Sequence, residues 1–208
     1  MKRFLIAMMV AAAVTACGSK GSAPQEVFEI GQAAGVDGLH APWDGLDEGT
    51  VFRCFSDQDS FYFVYEVPEH TLTLTEPFLK ERDVDPEDRV EIFFSPRLEM
   101  DIYYCAEIDP MGRVMDYKAK YYRDFDYDWN FATLEVLPKI EEGRYVVAGK
   151  LSKQELRDLG VDLGGFYMGV FRADFRPGEK EIWYSAVPTE DKSPDFHKPE
   201  VLFKACMK

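Results

Sequence analysis

The sequence predicts an all-β fold, an antiparallel β-sandwich with one short helix. Three observations point there. Short runs of β-branched and aromatic residues recur along most of the chain. Clusters of Gly, Pro, Asp and Ser separate them, as turns require. One segment alone carries a helix-start signal, so the strand–helix alternation of a parallel sheet is missing. No internal repeat is visible.

Taken in order, Val51-Phe52-Arg53-Cys54-Phe55 is a strand closed by the polar stretch Ser56-Asp57-Gln58-Asp59-Ser60. Residues 61–67 follow, and strand period puts Phe61, Phe63, Tyr65 and Val67 on one face. The pair reads as a hairpin with a longer loop. Residues 69–87 are polar and Pro-bearing, and read as a long loop. Residues 88–94, Asp-Arg-Val-Glu-Ile-Phe-Phe, form the next strand, stopped by Ser95-Pro96. Glu91 lies inside this apolar run, where an unpaired carboxylate is costly. Water, a basic partner or a ligand has to solvate it. A strand-edge position facing water satisfies the same pattern.

Residues 102–108 and 113–118 flank the turn Asp109-Pro110-Met111-Gly112 and read as a second hairpin. Residues 120–130 mix aromatics and acids without a period, which reads as an exposed loop of functional character. Residues 133–137 and 145–151 pair around Glu141-Glu142-Gly143. Ser152-Lys153-Gln154-Glu155 reads as a capping box, opening a helix that runs to about Leu159 and ends at Gly160. Residues 165–172 and 181–185 are the last clear strands, joined through Arg176-Pro177-Gly178-Glu179.

The chain divides into a leader (1–17), a tether (18–26) and one folded unit (27–208), long enough to bury a sizeable core. Lys2 and Arg3 precede a short apolar run and the small residues before Cys17. A spanning helix needs roughly 20 apolar residues, so this is a secretion signal and not a membrane span. Ending on Cys17, it resembles a bacterial lipoprotein signal, whose cysteine is acylated and becomes the new N-terminus. Acyl chains contribute about 0.8 kcal/mol per buried CH₂, so several hold a protein firmly to a bilayer. Gly18, where an Asp would signal retention, resembles the pattern that sends Gram-negative lipoproteins to the outer membrane. An ordinary secretory leader is the alternative. Residues 18–25 are small and polar, as in a flexible tether.

The formal charge is −14, or −16 once the two leader cations are gone. Such a surface repels phosphate backbones and argues against nucleic-acid binding. It suits neutral ligands such as sugars, and acidic clusters are compatible with structural calcium. With Cys17 assigned to lipid, Cys54, Cys105 and Cys206 are an odd set, and free thiols are expected. The histidines, His40, His70 and His197, show no zinc spacing. No nucleophile elbow, metal or nucleotide motif is present. Asp124, Asp126 and Asp128 alternate like the start of a calcium loop but lack its Gly and terminal Glu, so a solvated acidic loop is expected. Arg172 and Asp174 share one strand face, as an ion pair or as hydrogen-bonding groups for a ligand.

A series of motifs spanning about residues 36–206 resembles the family 9 carbohydrate-binding modules. It begins with Val36-Asp37-Gly38 and Trp43, continues through the 52–67 hairpin and Asp88-Arg89-Val90-Glu91-Ile92-Phe93, and takes in Gly143-Arg144-Tyr145-Val146-Val147 and Gly165-Phe166-Tyr167-Met168-Gly169-Val170. It closes with Trp183-Tyr184-Ser185 and Phe196-His197-Lys198-Pro199-Glu200. The resemblance implies a sandwich with one sugar site, structural calcium, and two Trp rings clamping a terminal sugar whose hydroxyls meet polar side chains. Sugar C–H faces stack on aromatic planes while hydroxyls take charged partners, which is sound chemistry.

By position, Glu91 matches the family's sugar-binding Glu, and Trp183 or Tyr184 its aromatic-Ser pair. The family's first clamp Trp falls on Asp85, so the clamp is incomplete unless Trp129 or neighbouring Tyr127 supplies a ring. Arg172 and Asp174 complete the expected sugar-contacting set, and Trp43 is expected in the core. The implied function is non-catalytic carbohydrate binding by a lipid-anchored envelope protein, alongside glycan-degrading enzymes or importers and in support of carbohydrate catabolism. Alternatives are a glycoside hydrolase, which needs two carboxylates about 5–9.5 Å apart, and a structural lipoprotein whose sugar site is lost. Related sandwiches also bind haem through Met and His, for which Met168 and His197 are the nearest candidates.

Overall fold

The computed structural model describes residues 27–31, 33–43, 46–47, 49–69 and 71–208. The leader with Cys17, the whole tether (18–26) and His70 lie outside them. The first strands are β1 (Phe28–Ile30), β2 (Ala34–Asp37), β3 (His40–Ala41), β4 (Leu46–Asp47), β5 (Val51–Ser56) and β6 (Ser60–Pro68). The middle of the chain gives β7 (Arg89–Ser95), β8 (Tyr103–Ile108), β9 (Val114–Lys120) and β10 (Asp124–Asp126). Then come β11 (Glu135–Glu141), β12 (Arg144–Ser152), α1 (Lys153–Asp158), β13 (Phe166–Asp174), β14 (Ile182–Ser185) and β15 (Phe203–Met207).

Two sheets result. The larger has ten strands, ordered β10-β9-β8-β7-β13-β14-β3-β4, with β15 joining β13 and β1 joining β15. The smaller runs β11-β12-β6-β5-β2. All pairings are antiparallel except β1 with β15. The expected all-β sandwich with one short helix is thus the observed architecture.

The pleat of β7 sets up the rest of the molecule. All seven of its residues are buried, on both faces. Val90, Ile92 and Phe94 point between the sheets, where they pack with Phe61, Phe63 and Tyr65 of β6. Tyr65 donates across the sandwich to the Glu91 carbonyl at 2.7 Å. Phe93 points the other way, into a second apolar cluster with Tyr103, Tyr117, Phe171 and Phe196. A strand with one face on solvent would alternate apolar and polar. This one cannot, because residues 194–202 fold back over the outer face, with Phe196 stacked on Phe171 at 4.2 Å.

Several local readings need adjusting. Ser152 caps α1 as expected, its Oγ accepting from Gln154 N at 3.2 Å and Glu155 N at 3.5 Å. The Glu155 carboxylate does not reach back to Ser152; it accepts from Ala132 N (2.6 Å) and Thr133 N (2.9 Å), anchoring a loop instead of closing the box. Residues 120–130 are not wholly an exposed loop. They contain β10, and Phe125 and Tyr127 are half-buried against the outer cluster. The long 69–87 loop holds a 3₁₀ turn at Glu81–Val84. Gly112 turns the β8–β9 hairpin at φ 79°, a left-handed conformation glycine adopts without strain.

Candidate functional site

The covered outer face of β7, β8 and β9 encloses a cavity of about 420 Å³. Its floor is a buried ionic triad. Arg89 and Glu91 lie two apart on β7, so they share a face, and Glu107 is the direct β8 partner of Glu91. Arg89 Nε lies 2.8 Å from Glu91 Oε1 and 2.6 Å from Glu107 Oε2. That nitrogen carries one hydrogen, and it is directed to Glu91. Glu107 Oε2 therefore accepts no hydrogen bond, while Glu107 Oε1 accepts from Tyr117 Oη at 2.6 Å. Arg89 also donates to the Asp85 and Glu87 carbonyls.

Two buried carboxylates thus share one guanidinium. Burial, then the neighbouring Glu107 charge, pushes the Glu91 carboxyl well above its ordinary range, against the pull of Arg89. Burial likewise raises Glu107. Burial thus favours the neutral form at both carboxyls, and Arg89 opposes it.

Walls of three kinds surround this floor. Trp183 on β14 stands beside Arg89, whose guanidinium lies 5.4 Å from its ring centroid. Tyr127 carries the guanidinium of Arg82 over its ring at 4.3 Å, and Arg82 donates twice to Asp85, at 2.6 and 3.0 Å. The third wall is the closing loop. Asp195 accepts from Arg123 at 2.8 Å, from Tyr122 Oη at 2.5 Å and from His197 N at 3.0 Å. Burial pushes the Asp195 carboxyl up, but those hydrogen bonds and the Arg123 charge outweigh it and hold it below its usual range. His197, 3.0 Å from Tyr103 Oη through Nδ1, is held neutral, its pKa pushed down to about 3 by burial and by Arg123.

Sheet register decides which predicted residues meet. Phe171 pairs with Glu91, and Ala173 pairs with both Arg89 and Trp183. Glu91 and Trp183 therefore share the outer face, and both line the cavity. Arg172 and Asp174 have the opposite parity and point between the sheets. There Arg172 reaches Glu69 at 2.8 Å and Asp174 at 3.6 Å, fully buried. Tyr184, opposite Arg172, follows it inward, its ring 5.2 Å from that guanidinium. Trp129 packs on Phe131 (4.8 Å) and Tyr104 (5.1 Å) at the edge of the inter-sheet core. The sequence set thus splits, with Glu91 and Trp183 in the cavity and Tyr184, Arg172, Asp174 and Trp129 outside it. Alternation along β13 and β14 forbids one strand from serving both faces.

Asp85, at the position expected to hold the first clamp Trp, does line the cavity, paired with Arg82. Tyr127, two residues before the predicted Trp129, lines the cavity as well. Sequence reasoning missed Glu107, Arg89 and Asp195. Glu107 was findable as the one acid in the apolar run of β8, the strand that follows β7. Trp43 is half-buried against Phe196 in the outer cluster, ring centroids 6.0 Å apart. Met168 is in the inter-sheet core and His197 is on the outer side, so the sheet separates the haem pair. Among the described residues no three His, Cys, Asp or Glu side chains are grouped to hold a metal ion. Asp126 of the acidic loop pairs with Lys118 at 3.1 Å. Cys54 and Cys105 are buried free thiols, and burial raises Cys54 to about 12.

No protein-family model matches the chain, and no curated protein matches it. Solved structures do resemble it. A candidate carbohydrate-binding protein from Bacteroides uniformis is similar with a TM-score of 0.66 at 16% identity, covering 85% of this chain and 86% of that one. A family 9 carbohydrate-binding module from Caldicellulosiruptor kristjanssonii, in complex with cellotriose, gives a TM-score of 0.56 at 12% identity, with 83% and 82% covered. A family 9 module from the same organism, in complex with glucose, gives 0.51 at 14%, with 83% and 84% covered. These likenesses establish a fold like that of the family 9 modules.

Proposed function

We propose that this chain is a non-catalytic carbohydrate-binding protein, held at the cell envelope by lipid on Cys17 and serving carbohydrate catabolism beside glycan-degrading enzymes or importers. The observation that carries the binding reading is the cavity itself, where an aromatic ring, Trp183, stands beside a buried Arg–Glu–Glu floor. A sugar presents an apolar C–H face and a rim of hydroxyls that both donate and accept. Trp183 suits the first. The second needs donors and acceptors on buried side chains, which Arg89, Glu91 and Glu107 provide. The fold shared with modules solved with cellotriose and glucose supports the same reading.

A glycan array followed by calorimetry tests it. Binding to at least one glycan, abolished in Trp183→Ala with the protein still folded, is expected. A folded protein that binds none contradicts the proposal. Palmitate labelling of the chain, lost in Cys17→Ser, tests the anchor, and outer-membrane fractionation tests its location.

Glycoside hydrolysis is favoured by one observation: two buried carboxylates share the cavity, within reach of a single nitrogen. Arg89 between them neutralises the charge a nucleophile needs, and both lie on adjacent strands of one wall instead of flanking a bond. Reducing-sugar release from xylan or glucan, lost in Glu107→Gln, would establish the enzyme reading in place of the binding one.

A further inference from the structure

We infer that the cavity is one subsite of a longer groove, and that Tyr121 and Tyr122 form a second aromatic platform that takes the next sugar of an oligosaccharide. The inference rests on the carbohydrate reading above and extends it to ligand size.

The two tyrosines are consecutive, 52% and 51% exposed, with rings edge-to-face at 5.3 Å. Adjacent aromatic rings left half in water are an unfavourable use of apolar surface unless something covers them. Their placement says what. Tyr122 Oη donates to Asp195, whose other oxygen accepts from Arg123, and both of those residues line the cavity. Arg123 also lies 5.5 Å from the Tyr122 ring centroid and donates to its hydroxyl at 3.2 Å. The platform is therefore joined to the cavity wall directly, through Asp195 and Arg123.

It is also fixed. Tyr121 N donates to the Met100 carbonyl at 2.8 Å. Arg123 sits at φ 60°, a left-handed conformation that non-glycine residues seldom adopt, and Asp195 clamps its side chain. Rings held before binding lose little freedom on binding, which is the usual design of a recognition surface. With the hydroxyl occupied by Asp195 and one face by Arg123, the opposite face of the Tyr122 ring is left for stacking. Exposed aromatic faces tied by hydrogen bonds to the wall of a polar cavity match a glycan chain, whose successive units each present a C–H face. A flat protein partner would not need the cavity.

Calorimetry decides it, with glucose, cellobiose and cellotriose in one series and xylose, xylobiose and xylotriose in another. In the wild-type protein the step from one unit to two should tighten binding about fivefold to tenfold in the series that binds, the scale of one aromatic contact. The Tyr121→Ala variant, which leaves the Tyr122–Asp195 bond of the cavity wall in place, should lose that step and keep its monosaccharide affinity within about twofold. Tyr121→Phe, which keeps the ring, should retain the step. Equal affinity for one and two units in the wild type overturns the inference while leaving the cavity reading intact. So does a step that survives removal of the Tyr121 ring. Failure of both series to bind overturns the carbohydrate reading and the platform with it.

Discussion

The two faces of the larger sheet each bury an arginine between two carboxylates, and they do so to different ends. On the inner face Arg172 meets Glu69 and Asp174, and Asp174 takes a second cation, Arg176, at 2.7 Å. Thr50, which precedes β5, also accepts from Arg172 at 3.3 Å. Arg172 and Arg176 face Glu69 and Asp174, with the buried Asp88 carboxyl beside them, and the cluster ties the sheets together. On the outer face Arg89 meets Glu91 and Glu107, but the other cavity arginines are spent on Asp85 and Asp195. The triad stays one negative charge in excess unless a proton or a ligand completes it. A buried ionic group closed by the protein serves the fold, and one left open toward a cavity serves recognition.

The largest effect should come from breaking the inner cluster. Arg172→Met leaves Glu69 and Asp174 without their shared cation, and removing one partner of a buried ionic group costs about 3–5 kcal/mol. Urea unfolding should show that loss, while glycan affinity of the protein that remains folded stays unchanged. A drop in affinity without a drop in stability would reverse the roles assigned to the two faces.

Glu91→Gln acts in the opposite way. Arg89 keeps Glu107, so the fold is left with a balanced pair. Affinity should fall by about 1–3 kcal/mol, the scale of hydrogen bonds to charged groups, with little change in stability at acid pH. The same variant carries a pH signature. The Glu91 carboxyl is raised in the folded state, so its contribution to stability is fully present below its ordinary value and is lost as pH rises. Wild-type unfolding free energy should therefore decline from pH 5 to pH 9, and the Gln variant should decline less. Asp88, raised to about 7 by burial, adds a separate decline through neutrality that both proteins share.

Smaller again is Trp183→Phe, which keeps a ring of reduced area in the cavity. Calorimetry should register a loss of about 0.5–1.5 kcal/mol in glycan binding. Smallest is Trp129→Phe. That ring packs on Phe131 and Tyr104, away from the cavity, so affinity should not move and only a modest loss of stability is expected.

The strands were legible because β7, β12 and β13 carry dense aromatic and β-branched runs, and turns such as Asp109 to Gly112 punctuate them. Glu91 was legible because a carboxylate in such a run has to be compensated. What the chain could not reveal was which face each residue of β13 and β14 takes. A run buried on both faces shows no alternation, so Trp183 and Tyr184 were indistinguishable until Ala173 fixed the register. The closing loop hid in the same way. Phe196 and Asp195 matter because 194–202 folds over the outer face, and nothing local in their sequence states that contact. Arg89 was legible only as a strand residue, because its two partners are one strand and two residues away.

The three tryptophans offer the most direct measurement, because one of them, Trp183, lines the cavity. A ¹⁵N–¹H spectrum resolves their indole signals, assigned through the Phe variants of Trp43, Trp129 and Trp183. Titration with an array-positive oligosaccharide should shift the Trp183 signal in a saturable way and leave Trp129 in place. A saturable shift of Trp129 with Trp183 unmoved would place the binding surface elsewhere and contradict the account.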